Sequence, residues 1–110
     1  MLAYSTQLVS IRHFHLWRPP TDIYETETHL IVQVEIAGMR DGDVAILLQD
    51  RHLTVSGTRQ ENIQERRAYH EMEIHSGEFK IEIELPLAVS PEGLEGKYED
   101  GFLKIAMRKI

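Results

Sequence analysis

The 110-residue sequence contains no cysteine. That excludes a disulfide framework, a thiolate metal site and a cysteine nucleophile, and it fits a reducing cytoplasm. Long apolar runs are missing too. Stretches such as Leu30-Ile31-Val32 and Ala45 to Leu48 fall far short of the ~18–20 residues of a membrane span, so no membrane partner is expected. Glycine (7) and proline (4) are too sparse for a collagen-like or low-complexity chain. Bases are in deficit, with 12 Lys and Arg against 18 Asp and Glu and a net charge of −6. This argues against nucleic acid as the main partner, because neutralising phosphates needs a basic surface. The opening Met1-Leu2-Ala3-Tyr4 carries no basic stretch, so no secretory signal is expected. What is present, 42% hydrophobic and 27% charged residues, is the composition of one ordinary globular domain.

Pro19-Pro20 divides the chain into a short arm, 1–18, and a domain, 19–110. The domain reads as strands, because apolar and polar residues alternate with period two. Leu30, Val32, Val34 and Ile36 share one face, with Gln33 and Glu35 on the other. Val44, Ile46 and Leu48 alternate with Ala45 and Leu47, so both faces of 43–49 are expected to be dry. Leu53 and Val55, then Met72 and Ile74, then Phe79, Ile81, Ile83 and Leu85, and finally Leu103, Ile105 and Met107 continue the pattern. Turn residues separate the runs, and Asp100-Gly101 suits a type I′ hairpin, which needs positive φ at both central positions. Short strands with turns roughly every 8–12 residues predict an all-β sandwich. A helix is expected only over 5–16, in the arm. The polar stretch 58–68 reads as a long connection, and such loops are usually functional or mobile.

Motifs for chemistry are mostly absent. Gly93-Leu94-Glu95-Gly96-Lys97 has the wrong spacing for a phosphate loop and no following Ser or Thr, so no cofactor is expected. His13 and His15, with His70 or His75, could form a nitrogen ligand set, but no motif fixes their geometry and solvated histidines are the simpler reading. Glu71/Glu73 and Glu82/Glu84 could suggest a carboxylate pair, yet strict alternation already explains them as the solvent faces of two strands. No enzyme is expected. The glutamates are informative in another way. A tight hairpin of 69–76 with 79–85 would set Glu73 against Glu82 and Glu71 against Glu84, costing ~0.2–1 kcal/mol per pair. Segment 69–76 is therefore expected to pair elsewhere. In the arm, Leu8, Val9, Ile11, Phe14, Leu16 and Trp17 crowd into ten residues, a density that is expected to pack onto the domain, to mediate oligomers or to bind apolar surfaces of other proteins.

These residues also carry a family resemblance. Trp17 to Thr26, Val34-Glu35-Ile36-Ala37-Gly38-Met39, Leu53 to Arg59, Gly77-Glu78-Phe79, Leu85-Pro86 and Tyr98 to Ile105 appear in order and at the spacings of small heat shock proteins of the bacterial and archaeal type. The closing segment resembles that family's last signature, with Gly96 where alanine is usual.

The resemblance implies an immunoglobulin-like sandwich of seven to nine strands, the alpha-crystallin domain. It implies an ATP-independent holdase in the cytoplasm that binds unfolding client proteins. It further implies a homodimer by strand exchange, with Tyr69, Met72 and Ile74 of one subunit pairing with the strand that carries Asp22, Ile23 and Tyr24 in the other. An edge groove walled by Val44, Ile46, Leu48, Leu94 and Tyr98 would take a client or an Ile-x-Ile/Val tail. Leu8, Ile11, Phe14 and Trp17 of the arm would bind clients. The sequence departs from the family at Ile81, where an Arg is usual, at Arg108-Lys109, where Pro-Lys is usual, and in ending at Ile110 without the family's tail. Dimers or small oligomers are accordingly expected rather than a large shell. The alternative is a CS-type co-chaperone module, a related sandwich that docks on one partner and has no need of the loop and strand at 58–76.

Overall fold

The computed structural model describes residues 16–40 and 42–110. Seven strands are formed: β1 (Thr21–Glu25), β2 (His29–Glu35), β3 (Val44–Gln49), β4 (His52–Arg59), β5 (Gly77–Glu84), β6 (Glu95–Glu99) and β7 (Phe102–Arg108). They make two antiparallel sheets, ordered β1-β2-β7-β6 and β3-β4-β5. The alternation seen in the sequence is the reason. Leu30, Val32, Val34, Leu103, Ile105 and Met107 point inward from one sheet, and Leu53, Val55, Phe79, Ile81 and Ile83 from the other, all buried. Each such side chain stabilises the fold by about 1.5–3 kcal/mol relative to exposure. Leu85 and Val89 join the core from the connection that crosses back between the sheets. The domain is thus an all-β sandwich with the strand number at the lower end of the expected range.

Local chemistry sets the corners. Asp100 and Gly101 have φ of 53° and 83°, so the β6–β7 hairpin closes on the two positive-φ positions that a type I′ turn requires. Gly57 sits where no side chain fits: a Cβ there would run into the Asp43 carbonyl oxygen and lie 2.9 Å from Phe79 Cζ. Ile81, where the family carries Arg, is fully buried opposite Val55, so an apolar core contact stands in that place.

Three expectations need correction or limits. First, β3 is dry on one face only. Val44, Ile46 and Leu48 are half-buried, whereas Ala45, Leu47 and Gln49 face out, because in a two-sheet sandwich each strand turns one face to the core, and none of the described residues covers the outer face of β3. Second, the chain forms no strand over 69–76. That segment is exposed throughout, and the edge of β5 beside it already takes Trp17. The local hairpin with β5 that charge repulsion disfavours is likewise not formed. Third, the expected arm helix lies outside the described residues except for Leu16, which is not helical.

Candidate interaction surfaces

The sandwich leaves two edges side by side, β3 of one sheet and β6 of the other. Between them runs a cavity of about 270 Å³ lined by Met39, Arg40, Gly42, Val44, Ile46, Gly96, Tyr98 and Leu103. Of the five residues expected to wall a groove here, Val44, Ile46 and Tyr98 line it. Leu48 and Leu94 pack half-buried against the core instead. Tyr98 has two roles. Its ring lines the groove, and its hydroxyl donates to Ile36 O at 2.8 Å and accepts from Met39 N at 3.3 Å. The phenol therefore pins the turn that forms the far wall. Met39 and Arg40 escaped sequence reasoning, because they sit in a turn with no periodicity to place them. Gly96 matters as well. A Cβ at this position would press on Ile46 Cδ1 at 2.8 Å, so the glycine lets the isoleucine lie across β6.

Another open edge belongs to β1, which among the described residues pairs with β2 alone. Ile23 and Tyr24 on it are 41% and 39% exposed, and Asp22 is exposed beside them. Segment 69–76 presents the complementary excess: Met72 is 59% exposed and Ile74 82%, more than isolated surface residues would need. Within one chain these two surfaces are not paired. Tyr69 is held by its neighbours, donating to Glu61 Oε1 at 3.1 Å while Arg67 Nη1 donates to it at 3.0 Å. Ser76 Oγ donates to Glu61 Oε2 at 3.2 Å, so Glu61 ties both flanks of the segment. The Tyr69 hydroxyl first, and Glu65 second, hold the exposed Arg67 further toward its charged form.

Trp17 is not placed as a free client contact. It is half-buried and bridges to the start of β5, where Lys80 N donates to Trp17 O at 3.3 Å and the indole N–H donates to Gly77 O at 3.3 Å. Its ring meets Phe79 edge-on, with centroids 5.7 Å apart. The other arm residues expected to bind clients, Leu8, Ile11 and Phe14, lie outside the described residues, as do His13 and His15.

The titratable groups gather into surface pairs. His52 lies 3.6 Å from Glu82 and 3.4 Å from Glu84 on the outer face of the three-stranded sheet, all well exposed. His75 stacks on Trp17. Among the described residues no group of three or more His, Asp or Glu converges as a metal site. Also among them, no helix is long and apolar enough to cross a membrane.

Comparison with known proteins places this arrangement. The profile of the Hsp20/alpha crystallin family matches residues 22–110. Small heat shock protein C2 of Rickettsia felis is 32% identical over 92 residues, which are 83% of this chain and 60% of that protein, so the chain spans only part of its curated relative. Among solved structures, HSP18.5 from E. histolytica superposes with a TM-score of 0.74 at 25% identity, covering 84% of this chain and 88% of that one. The hspA from Xanthomonas axonopodis shares the fold at a TM-score of 0.76 and 22% identity, covering 84% of this chain and 94% of that one. With a family profile that runs from the first strand to the last residue, and the same sandwich in solved relatives, this chain belongs to the Hsp20/alpha crystallin family.

Proposed function

We propose that this protein is an ATP-independent holdase: it binds unfolding proteins and keeps them from aggregating, without catalysing a reaction. The observation that carries this reading is exposed apolar surface in three places: Ile23 and Tyr24 on the open edge strand β1, Met72 and Ile74 on the 69–76 segment, and the groove between β3 and β6. Contiguous apolar surface of this kind marks protein contacts, and open strand edges accept further strands. In the working form, 69–76 of one subunit adds to the β1 edge of the other, giving a dimer by strand exchange in the cytoplasm. The edge groove receives extended segments with an Ile-x-Ile pattern. Leu8, Ile11 and Phe14 of the arm offer further apolar side chains to clients, while Trp17 anchors the arm. The heat shock names of the relatives support the same reading, and the stretch 58–76 favours it over a CS-type docking module.

Light scattering from an unrelated client heated without nucleotide tests the proposal. The protein at equimolar or several-fold excess should suppress the rise in scattering. Scattering that rises unchanged at several-fold excess sinks the holdase reading.

A further inference from the structure

Three side chains from separate parts of the chain meet at one corner of the sandwich. Trp17 leads out of the arm, Arg59 ends β4, and His75 closes the segment that precedes β5. The Arg59 guanidinium carbon lies 4.5 Å from the centre of the Trp17 ring. His75 stacks on the same indole, with ring centres 5.3 Å apart and planes 12° from parallel. In its own plane the guanidinium is also occupied. Nε donates to His75 O at 3.0 Å, Nη2 donates to that same oxygen, and Nη1 donates to Ala37 O at 3.4 Å. A guanidinium suits this position because it offers a fork of donors in its plane and a cationic face to an aromatic ring at once.

The consequence is topological. Segment 60–76 follows Arg59 in the chain, and the carbonyl of His75, one residue before its end, is tied back to the Arg59 side chain. Both ends of the segment that carries Met72 and Ile74 are thus referred to one residue, the first through the backbone and the second through the Arg59 side chain. The Trp17 ring shares both partners, so displacing the arm and displacing the segment disturb the same contacts.

We propose that Arg59 is a positioning residue for strand exchange: it sets where segment 69–76 leaves the sandwich and couples that exit to the exit of the arm. The inference rests on the strand-exchange reading above. A segment held at both ends has less conformational freedom to lose when it pairs, and pre-organisation of this sort strengthens association. Groups that share partners in one network also depart from additivity when replaced together.

Trp17 is the one tryptophan of the chain, so its emission reports the cluster directly. The full-length protein is compared with Arg59→Lys, which keeps the charge but loses the fork, and with His75→Ala, which keeps the carbonyl but loses the stack. Three quantities are measured: Trp17 emission, amide hydrogen exchange over 60–76 and in β2 and β7, and the dimer dissociation constant by sedimentation. Arg59→Lys should red-shift the emission, speed amide exchange over 60–76 and weaken the dimer on the order of tenfold, the scale of losing charge-assisted hydrogen bonds. Protection in β2 and β7 should stay at the wild-type level, which a residue needed only for the fold would not allow. His75→Ala should red-shift the emission with a smaller loss of dimer, since the carbonyl tie remains. A dimeric wild type whose affinity is unchanged in Arg59→Lys overturns the positioning role and leaves strand exchange standing. A wild type that stays monomeric at every concentration overturns strand exchange, and this role with it.

Discussion

The sharpest test of the proposed strand-exchange dimer replaces two side chains that a lone subunit does not need. Met72 and Ile74 are 59% and 82% exposed. Burying such a side chain completely contributes about 1.5–3 kcal/mol, so the exposed fractions still hold about 0.9–1.8 kcal/mol for Met72 and about 1.2–2.5 kcal/mol for Ile74. Together that is about 2–4 kcal/mol per chain, and a two-fold dimer that exchanges both segments counts it twice, about 4–8 kcal/mol. If pairing covers only half of this area, about 2–4 kcal/mol remains, and its lower end is a ~30-fold rise in dissociation constant. Met72→Ser combined with Ile74→Ser should therefore raise the dimer dissociation constant at least ~30-fold by sedimentation across a dilution series. The isolated subunit should hardly notice, because substitutions at exposed positions usually stay within about 0.5 kcal/mol. Thermal unfolding of the monomer supplies that control. A double variant that dimerises within threefold of wild type refutes the assignment of this segment to the interface.

Gly57→Ala should destabilise the sandwich by roughly 1–3 kcal/mol, because its methyl meets the Asp43 carbonyl oxygen and the Phe79 ring. Urea unfolding should show a lower midpoint, and an unchanged midpoint would mean the backbone yields freely. In the groove, a peptide with an Ile-x-Ile pattern should shift amide resonances within 43–49 and 94–99, and shifts confined elsewhere reject that site. Gly96→Ala should weaken the same peptide, since the added methyl displaces Ile46 into the groove, and unaltered binding shows that the isoleucine has another rotamer to adopt. Tyr98→Phe should cost roughly 0.5–1.5 kcal/mol of stability in urea unfolding, because it removes the hydrogen bond to the Ile36 carbonyl.

Much of the fold is local and was therefore legible. Period-two alternation placed Leu30 to Ile36, Leu53 and Val55, Phe79 to Leu85 and Leu103 to Met107 on strands facing a core, and a single face is what one hydrophobic layer can cover. Asp100-Gly101 announced its hairpin because few residues tolerate positive φ. Charge on the four glutamates argued against a hairpin of 69–76 with its neighbour, since like charges repel at cross-strand distance.

The tertiary structure alone decided which strands lie at edges. The run at 44–48 is apolar on both faces, and only the packing of the two sheets shows that Leu47 points to solvent while Val44, Ile46 and Leu48 turn toward the core. Sequence placed Val44, Ile46 and Tyr98 near a groove through resemblance, but the wall contributed by Met39 and the pin from the Tyr98 hydroxyl come from chain segments 59 and 62 residues apart. The same holds for Trp17, which composition assigned to an apolar arm and which the fold docks on β5 beside Arg59 and His75. Alternation, turn conformation and charge act between near neighbours and are written in the order of residues. Edges, grooves and docked side chains depend on which distant segments the packing of two sheets brings together, and no short window of sequence contains that.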